Sequence, residues 1–473
     1  MHKALKKDEL LLRIRERQKL TTGEQLRLVV LLSVPAILAQ VSTILMFYID
    51  DAMVGSLGAL ASASVGLVAT TTWLFWSIIS CVATGFSVQV AHCIGANDLS
   101  GARAVFRQSM TVGLLLSLAV SLVGAGVSPW LPGWLGGDAA ISHDATVYFL
   151  IFALGGPLAM ADMLASSMLR SAGEIKVASW ANVAMCVLDV LFNFFTIFPT
   201  RVWTVADCAV TIPGLGWGVA GAAAGTLLAE GLVSAFLMWY AVTRCRELCL
   251  VGDGSSFRPQ RLVMRRASTI AGPILLQRAL MNVAQITCTI IVAPLGAVAI
   301  AANVLGVTAE SLCYMPGYGI GEAATTLVGQ SYGAGRLRLT RHFAWMTTLL
   351  GIGVMTVMGV VMYVAAPLMM ASLTPDAAVR LLGTECLRIE AWAEPMFAAS
   401  IVGMSVFIGA GNTAVPSLMN LFSMWAVRVT LAALLAPRYG LHGVWFAMAV
   451  ELTFRGLLFL ARMKWGRWME KKN

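Results

Sequence analysis

Apolar stretches long enough to cross a hydrocarbon core, about 20 residues or more each, occupy residues 29–52, 62–90, 109–129, 147–168, 178–198, 217–240, 271–293, 298–329, 344–368, 386–408, 416–436 and 443–461. The pattern predicts twelve transmembrane helices. The polar positions gather in short connectors such as Leu131-Pro132-Gly133, Gly95-Ala96-Asn97 and Gly409-Ala410-Gly411-Asn412, whose Gly, Pro and Asn residues signal turns. None of these connectors has the length of a soluble domain. The predicted class is an all-α membrane protein.

Composition agrees: 58% of the residues are hydrophobic and only 12% charged, too few polar groups to cover a soluble surface. The charges that exist are placed asymmetrically. Lys and Arg number eight in residues 1–28, two in the loop between spans 2 and 3, two between 4 and 5, six between 6 and 7, three between 8 and 9, and five in 462–473. The opposite loops hold only Arg201, Arg380 and Arg438. This bias orients both termini toward the cytoplasm, as expected for a protein of a bacterial inner membrane. It also accounts for most of the net charge of +9, so no nucleic-acid partner is implied. Leu10, Leu11, Leu12 and Ile14 are interleaved with basic residues in the first segment, a pattern that predicts a short basic helix on the inner membrane surface rather than a cleaved signal. The nine cysteines are scattered, mostly within or beside spans, and Cys245 and Cys249 sit in a cytoplasmic loop without nearby His partners, so neither a disulfide nor a metal site is expected there.

The chain repeats itself. A shift of 238 residues without a gap pairs Pro35 with Pro273, Leu57-Gly58-Ala59 with Leu295-Gly296-Ala297, Gly95-Ala96 with Gly333-Ala334, Arg103 with Arg341, Pro129 with Pro367, Pro157 with Pro395 and Asn182 with Asn420. Beyond residue 213 the shift becomes 225, so the first copy carries 13 extra residues between spans 5 and 6. Residues 202–205 and 209–212 flank a turn there and predict a small external hairpin. The predicted organisation is a basic segment 1–28, a first six-helix lobe 29–240, a linker 241–270, a second lobe 271–461 and a basic tail 462–473. An even number of spans per copy makes the repeats parallel, related by an axis along the membrane normal, with a substrate cavity expected between the two pseudo-symmetric lobes.

Ionisable residues at membrane depth are costly, at least about 2.5–3.5 kcal/mol each at a helix centre. The first copy holds Asp50 and Asp51 near the outer end of span 1, Asp162, Asp189 and Glu230, without Lys or Arg at matching depth. The second holds Glu310, Glu322, Glu390, Glu394 and Glu451, but also Arg278, Arg428 and Arg455, which can satisfy several of them by pairing. Glu451 and Arg455, four apart on one helix, read as a structural pair. Repeat arithmetic matches Asp50 with Cys288, Asp189 with Val427, Thr226 with Glu451 and Glu230 with Arg455. The copies share a scaffold but not a chemistry. Acids without basic partners either hold a proton or supply oxygen ligands to a cation, which is the equipment of an ion-coupling site. Asp51 is expected to be solvated, and Asp162 and Glu230 to line a cavity or to hydrogen bond locally.

Pro35-Ala36-Ile37-Leu38-Ala39-Gln40, the run from Ile49 to Ala59, Leu327-Val328-Gly329-Gln330 before Gly333-Ala334, the Gly409 to Thr413 turn and the run from Gly216 to Ala223 together resemble the multidrug and toxic compound extrusion (MATE) family. The resemblance spans both halves in order. It implies a V-shaped pair of lobes that exchanges Na+ or H+ for amphipathic, often cationic, organic molecules, without a cofactor. It further implies a first-lobe cation or proton site formed by an Asp on span 1, an Asn and an Asp one turn apart on span 5, and a Thr on span 6. Asp50, Asp189 and Thr226 match these positions, whereas the Asn position is occupied by Met185. Asn182 and Asn193 lie on the same face as Asp189 and are the candidate replacements; without either, a proton cycle is favoured over Na+. A family variant uses a Glu on span 7, but that position is Met281 here. Glu310, Glu390 and Glu394 remain alternative second-lobe acids. Pro35 is where the resemblance implies that span 1 bends.

No Walker loop, metal-binding His pair or nucleophile with its base is present, so the chain is not expected to be an enzyme and its energy must come from an ion gradient. The sequence reads as a monomeric antiporter in the lipid bilayer, exporting drugs or a dedicated metabolite. Two alternatives stand beside it: a flippase for lipid-linked precursors, which would need a cationic cavity, and a non-transport receptor or scaffold, which would need no buried unpaired acids.

Overall fold

The computed structural model describes residues 7–205, 208–252, 254 and 256–470, with the side chains of 202–210 not described. Its helices are α1 (Lys7–Arg15), α2 (Thr22–Gly55), α3 (Ala59–Gly95), α4 (Leu99–Val127), α5 (Leu131–Trp134), α6 (Ala139–Leu154), α7 (Gly156–Ala172), α8 (Ile175–Ile197), α9 (Gly218–Thr243), α10 (Arg261–Val292), α11 (Ala297–Gly333), α12 (Leu337–Leu373), α13 (Ala377–Ala391), α14 (Glu394–Gly409), α15 (Ala414–Phe422) and α16 (Thr430–Trp465). The insertion folds as an antiparallel hairpin of β1 (Pro199–Val205) and β2 (Cys208–Leu215).

Nine continuous helical segments among the described residues are long and apolar enough to span a bilayer. Two further spans are bent pairs: α6 with α7 at 47° and α13 with α14 at 61°. The last continuous segment, Ala414–Trp465, holds two spans, because Gly440 leaves helical geometry at φ 59°, a backbone region open to glycine at little cost. The total is the twelve spans that the apolar pattern predicts. The two bends occupy equivalent places in the repeat. Pro157 and Pro395, 238 residues apart, each sit in the first turn after the break, where a missing N–H costs nothing.

Two compact units emerge. One comprises residues 1–41, 91–98 and 266–473, the other 42–90 and 99–265. The boundary cuts through α2, so Pro35 belongs to the first unit and Asp50 to the second. In the first unit, α2 runs unbroken through Pro35 and is held against α11. A Cβ on Gly319 would lie 2.6 Å from the backbone of Ile37, and Gln40 Nε2 donates to Glu322 Oε1 at 2.9 Å. The repeat-related glycines meet in the same unit. A Cβ on Gly95 would lie 2.0 Å from the Gln330 carbonyl, and one on Gly333 would lie 2.2 Å from that of His92. Backbone cannot retreat as a side chain does, so Gly333→Val is expected to cost about 1–3 kcal/mol. A lower melting temperature in detergent checks this, and an unchanged one contradicts it.

α1 differs from expectation in what covers it. Leu10, Leu11 and Ile14 are buried by the protein itself, and α11 is among the elements α1 packs against. Arg336 donates to the Arg13 carbonyl at 3.2 Å and Arg13 pairs with Glu24 at 3.0 Å. The apolar face of this helix therefore needs no bilayer to cover it.

Candidate functional site

In the second unit, α8 presents Asn182, Asp189, Asn193 and Thr196 along one face, at the spacing that stacks side chains every one or two turns. α9 can lie directly on that face because its residues there are small. Gly221 and Gly225 form a GxxxG pair, the spacing that lets helices approach closely in lipid. A Cβ on Gly225 would sit 2.2 Å from Asn193 Oδ1, and one on Gly221 would sit 2.4 Å from the Thr196 carbonyl. Thr196 Oγ1 donates across the seam to the Gly221 carbonyl at 2.7 Å. These glycines and Thr196 position the site, and the Gly-x-x-x-Gly spacing in span 6 is the signal that could have marked them.

The third wall is α2. Asn193 Nδ2 donates to Asp50 Oδ1 at 2.9 Å and to Asp189 Oδ2 at 3.1 Å, so a single amide bridges two carboxylates. Asp189 and Asn193 are fully buried, and the Asp50 and Asp189 side chains lie within hydrogen-bonding reach of each other. Thr226 on α9 stands beside Asp189 while donating to its own helix, at the Ala222 carbonyl, at 3.1 Å. Tyr148 of α6 lies close enough to interact with Asp50 and Asp189 and packs against the apolar cluster of Val54, Ala61, Ile197, Val219 and Ala222. Asp51 is exposed.

The two candidate asparagines thus separate. Asn182 donates to Thr43 Oγ1 at 3.0 Å, seven residues before Asp189 on α8 and seven before Asp50 on α2. The two helices are in step, and the Asn182–Thr43 rung lies about 10 Å along the axis from the carboxylate rung. Asn193 reaches both carboxylates; Asn182 does not. If the carboxylate pair carries the coupling ion, Asn193→Ala is expected to reduce coupled transport by about tenfold or more, since it leaves two buried acids without their shared donor. Asn182→Ala is expected to leave most activity intact. Equal losses in the two variants, measured in proteoliposomes, would contradict the separation.

The first unit gathers its own acids. Glu310 from α11, Glu390 from α13 and Glu394 at the start of α14 are buried, and Glu390 lies within hydrogen-bonding reach of Glu310. The 61° break between α13 and α14 brings the last two together, and Gly359 admits α12 beside them, since its Cβ would lie 3.1 Å from Glu394 Cβ. Cations attend this cluster. Arg428, carried by a π-helical stretch Ser423–Val429 between α15 and α16, and Arg455 both interact with Glu310. Arg455 Nε pairs with Glu451 Oε1 at 3.2 Å, and Ser423 Oγ donates to the same oxygen at 2.6 Å. Arg278 was expected to share in such pairing. It instead lies exposed on α10, and no ion pair to it is found among the described residues. Among the described residues, no group of three or more His, Cys, Asp or Glu side chains converges as metal ligands.

A two-copy, twelve-span helical fold with buried, unpaired carboxylates in one copy defines an integral membrane transporter. The chain belongs to the MatE family, whose model matches residues 35–195 and again 273–434; the two starts differ by the 238 residues of the internal repeat. It is 25% identical over 468 residues to the probable multidrug resistance protein NorM of Thermotoga maritima, covering 93% of this chain and 92% of that protein. It is 27% identical over 463 residues to the probable NorM of Pseudomonas aeruginosa, covering 93% and 89%. Its fold matches the crystal structure of MATE in complex with MaL6 with a TM-score of 0.86, over 98% of both chains at 20% identity.

Proposed function

We propose that this transporter is an antiporter that exports amphipathic, cationic organic molecules from the cytoplasm in exchange for protons, by alternating access. The observation that carries the reading is the pair Asp50 and Asp189, bridged by Asn193 with no basic residue hydrogen bonded to either among the described residues. Two carboxylates this close share a proton more readily than they both stay ionised. The amide turns its N–H groups, not its carbonyl, toward them, which suits a protonated pair better than a Na+ ion needing converging oxygens. Export of drugs is supported by the names of the NorM relatives.

In the cycle, the protonated pair favours the state that has released substrate, and the ionised pair favours the state that binds a cation. That difference in affinity is what lets a gradient drive export. Pro35 removes one backbone hydrogen bond from α2, and so softens the helix that also carries Asp50. The acids of the first unit, Glu310, Glu390 and Glu394, are buried in the state seen here and offer the substrate's positive charge a counter-charge in a state that opens this unit. Their attendant arginines are too few and too engaged with those acids to form the phosphate cradle a lipid-precursor flippase requires.

The test is transport of a fluorescent organic cation in proteoliposomes under an imposed proton gradient and, separately, an imposed Na+ gradient. Movement with the proton gradient alone is the expected result. Movement with Na+ alone would overturn the proton assignment, and movement with neither would overturn the antiport reading.

A further inference from the structure

One group of buried acids has no part in that cycle. Glu230 lies on α9 one turn beyond Thr226, about 6 Å further along the axis, and only 1% of it is exposed. Neither of its carboxylate oxygens has a hydrogen-bond partner among the described residues. The charged groups that act on it are Asp162 of α7 and Asp189 of α8. The titratable side chains of α6, which also packs on α9, are His143 and Asp144, both exposed, and Tyr148 beside the carboxylate pair. Asp162 is buried as well, and the cation acting on it is Arg170, two turns further along α7. An unpartnered carboxylate inside a membrane protein is costly and is not retained for packing, since a Gln or Leu would fill the same space.

Going inward from the Asp50–Asp189 pair, Glu230 comes first. Its neighbour Gly231 faces Leu158 of α7, since a Cβ there would lie 3.4 Å from Leu158 Cδ1. This sets Asp162 about 6 Å further along α7 and Arg170 about 12 Å beyond it, near the loop expected to face the cytoplasm. We propose that Glu230 and Asp162 are the inner leg of a proton route, through which the proton held at Asp50 and Asp189 leaves toward the cytoplasm. The proton passes from the pair to the Glu230 carboxylate, leaving the pair ionised. It passes next to Asp162, restoring the Glu230 carboxylate, and from Asp162 to water at the Arg170 end. No charge is created or lost beyond the one proton moved. This rests on the reading of Asp50 and Asp189 as the coupling pair.

The test separates the two. Purified protein in weak buffer is mixed by stopped flow with ethidium, and the protons it releases are followed with a pH indicator. In Glu230→Gln and Asp162→Asn the release is expected to be slowed by about tenfold or more, the effect of roughly 1.4 kcal/mol on a barrier, with its amplitude and the ethidium affinity retained. Retained affinity and melting temperature show that the variants are folded. Release at the wild-type rate in both variants would overturn the route while leaving the coupling pair standing. A reduced amplitude in Glu230→Gln would also overturn it, because Glu230 would then be a store of the coupled proton and not a relay. Undiminished release in both Asp50→Asn and Asp189→Asn would instead sink the underlying reading.

Discussion

Asp50→Asn and Asp189→Asn are each expected to bring proton-driven export down to the level of protein-free liposomes, a loss of about a hundredfold or more. The size follows from what the pair does. An amide cannot bind and release a proton near neutral pH, so either substitution leaves one carboxylate where two shared a site, and the affinity difference that couples gradient to substrate disappears. The fold should survive, because Asn matches Asp in shape and Asn193 still has an acceptor at each position. Transport assayed beside a melting curve checks both halves of this. A variant that melts normally but pumps at half the wild-type rate would contradict the assignment.

The second large effect is on stability. Arg455→Met is expected to cost about 3–5 kcal/mol, the range for breaking a buried ion pair from one side. Glu451 is fully buried and would keep only the Ser423 hydroxyl, while Glu310 would lose one of its two nearby guanidiniums. The double change Glu451→Gln with Arg455→Met should recover much of the loss, because no uncompensated charge then remains at that position. Thermal unfolding in detergent compares the three proteins. An unchanged midpoint in Arg455→Met would show that the pair does not hold this part of the first unit.

Repeat and spans were legible because both rest on composition and period, which a single sequence carries in full. Pro157 and Pro395 could be matched by counting, although their 47° and 61° bends could not, since the angle depends on what packs around the break. Asp50 and Asp189 stood out for the absence of basic residues at their depth. The choice between Asn182 and Asn193 was not legible. Both share the face of Asp189, and only the axial register of α2 against α8 sets which one meets carboxylates and which meets Thr43. Gly225 was overlooked for a related reason, its importance residing in the 2.2 Å a Cβ would leave to Asn193. The same limit applies to Arg278, whose charge and depth suit pairing although the fold leaves it exposed.

Substrate and proton oppose each other through the Asp50–Asp189 pair in the proposed cycle, and the opposition can be read by counting protons. Saturating wild-type protein with ethidium in weak buffer should release about one proton per transporter, the complement that two adjacent carboxylates hold between them, and Asp189→Asn should release none. Equal release from the two proteins would rule out the Asp50–Asp189 pair as the place where substrate and proton compete.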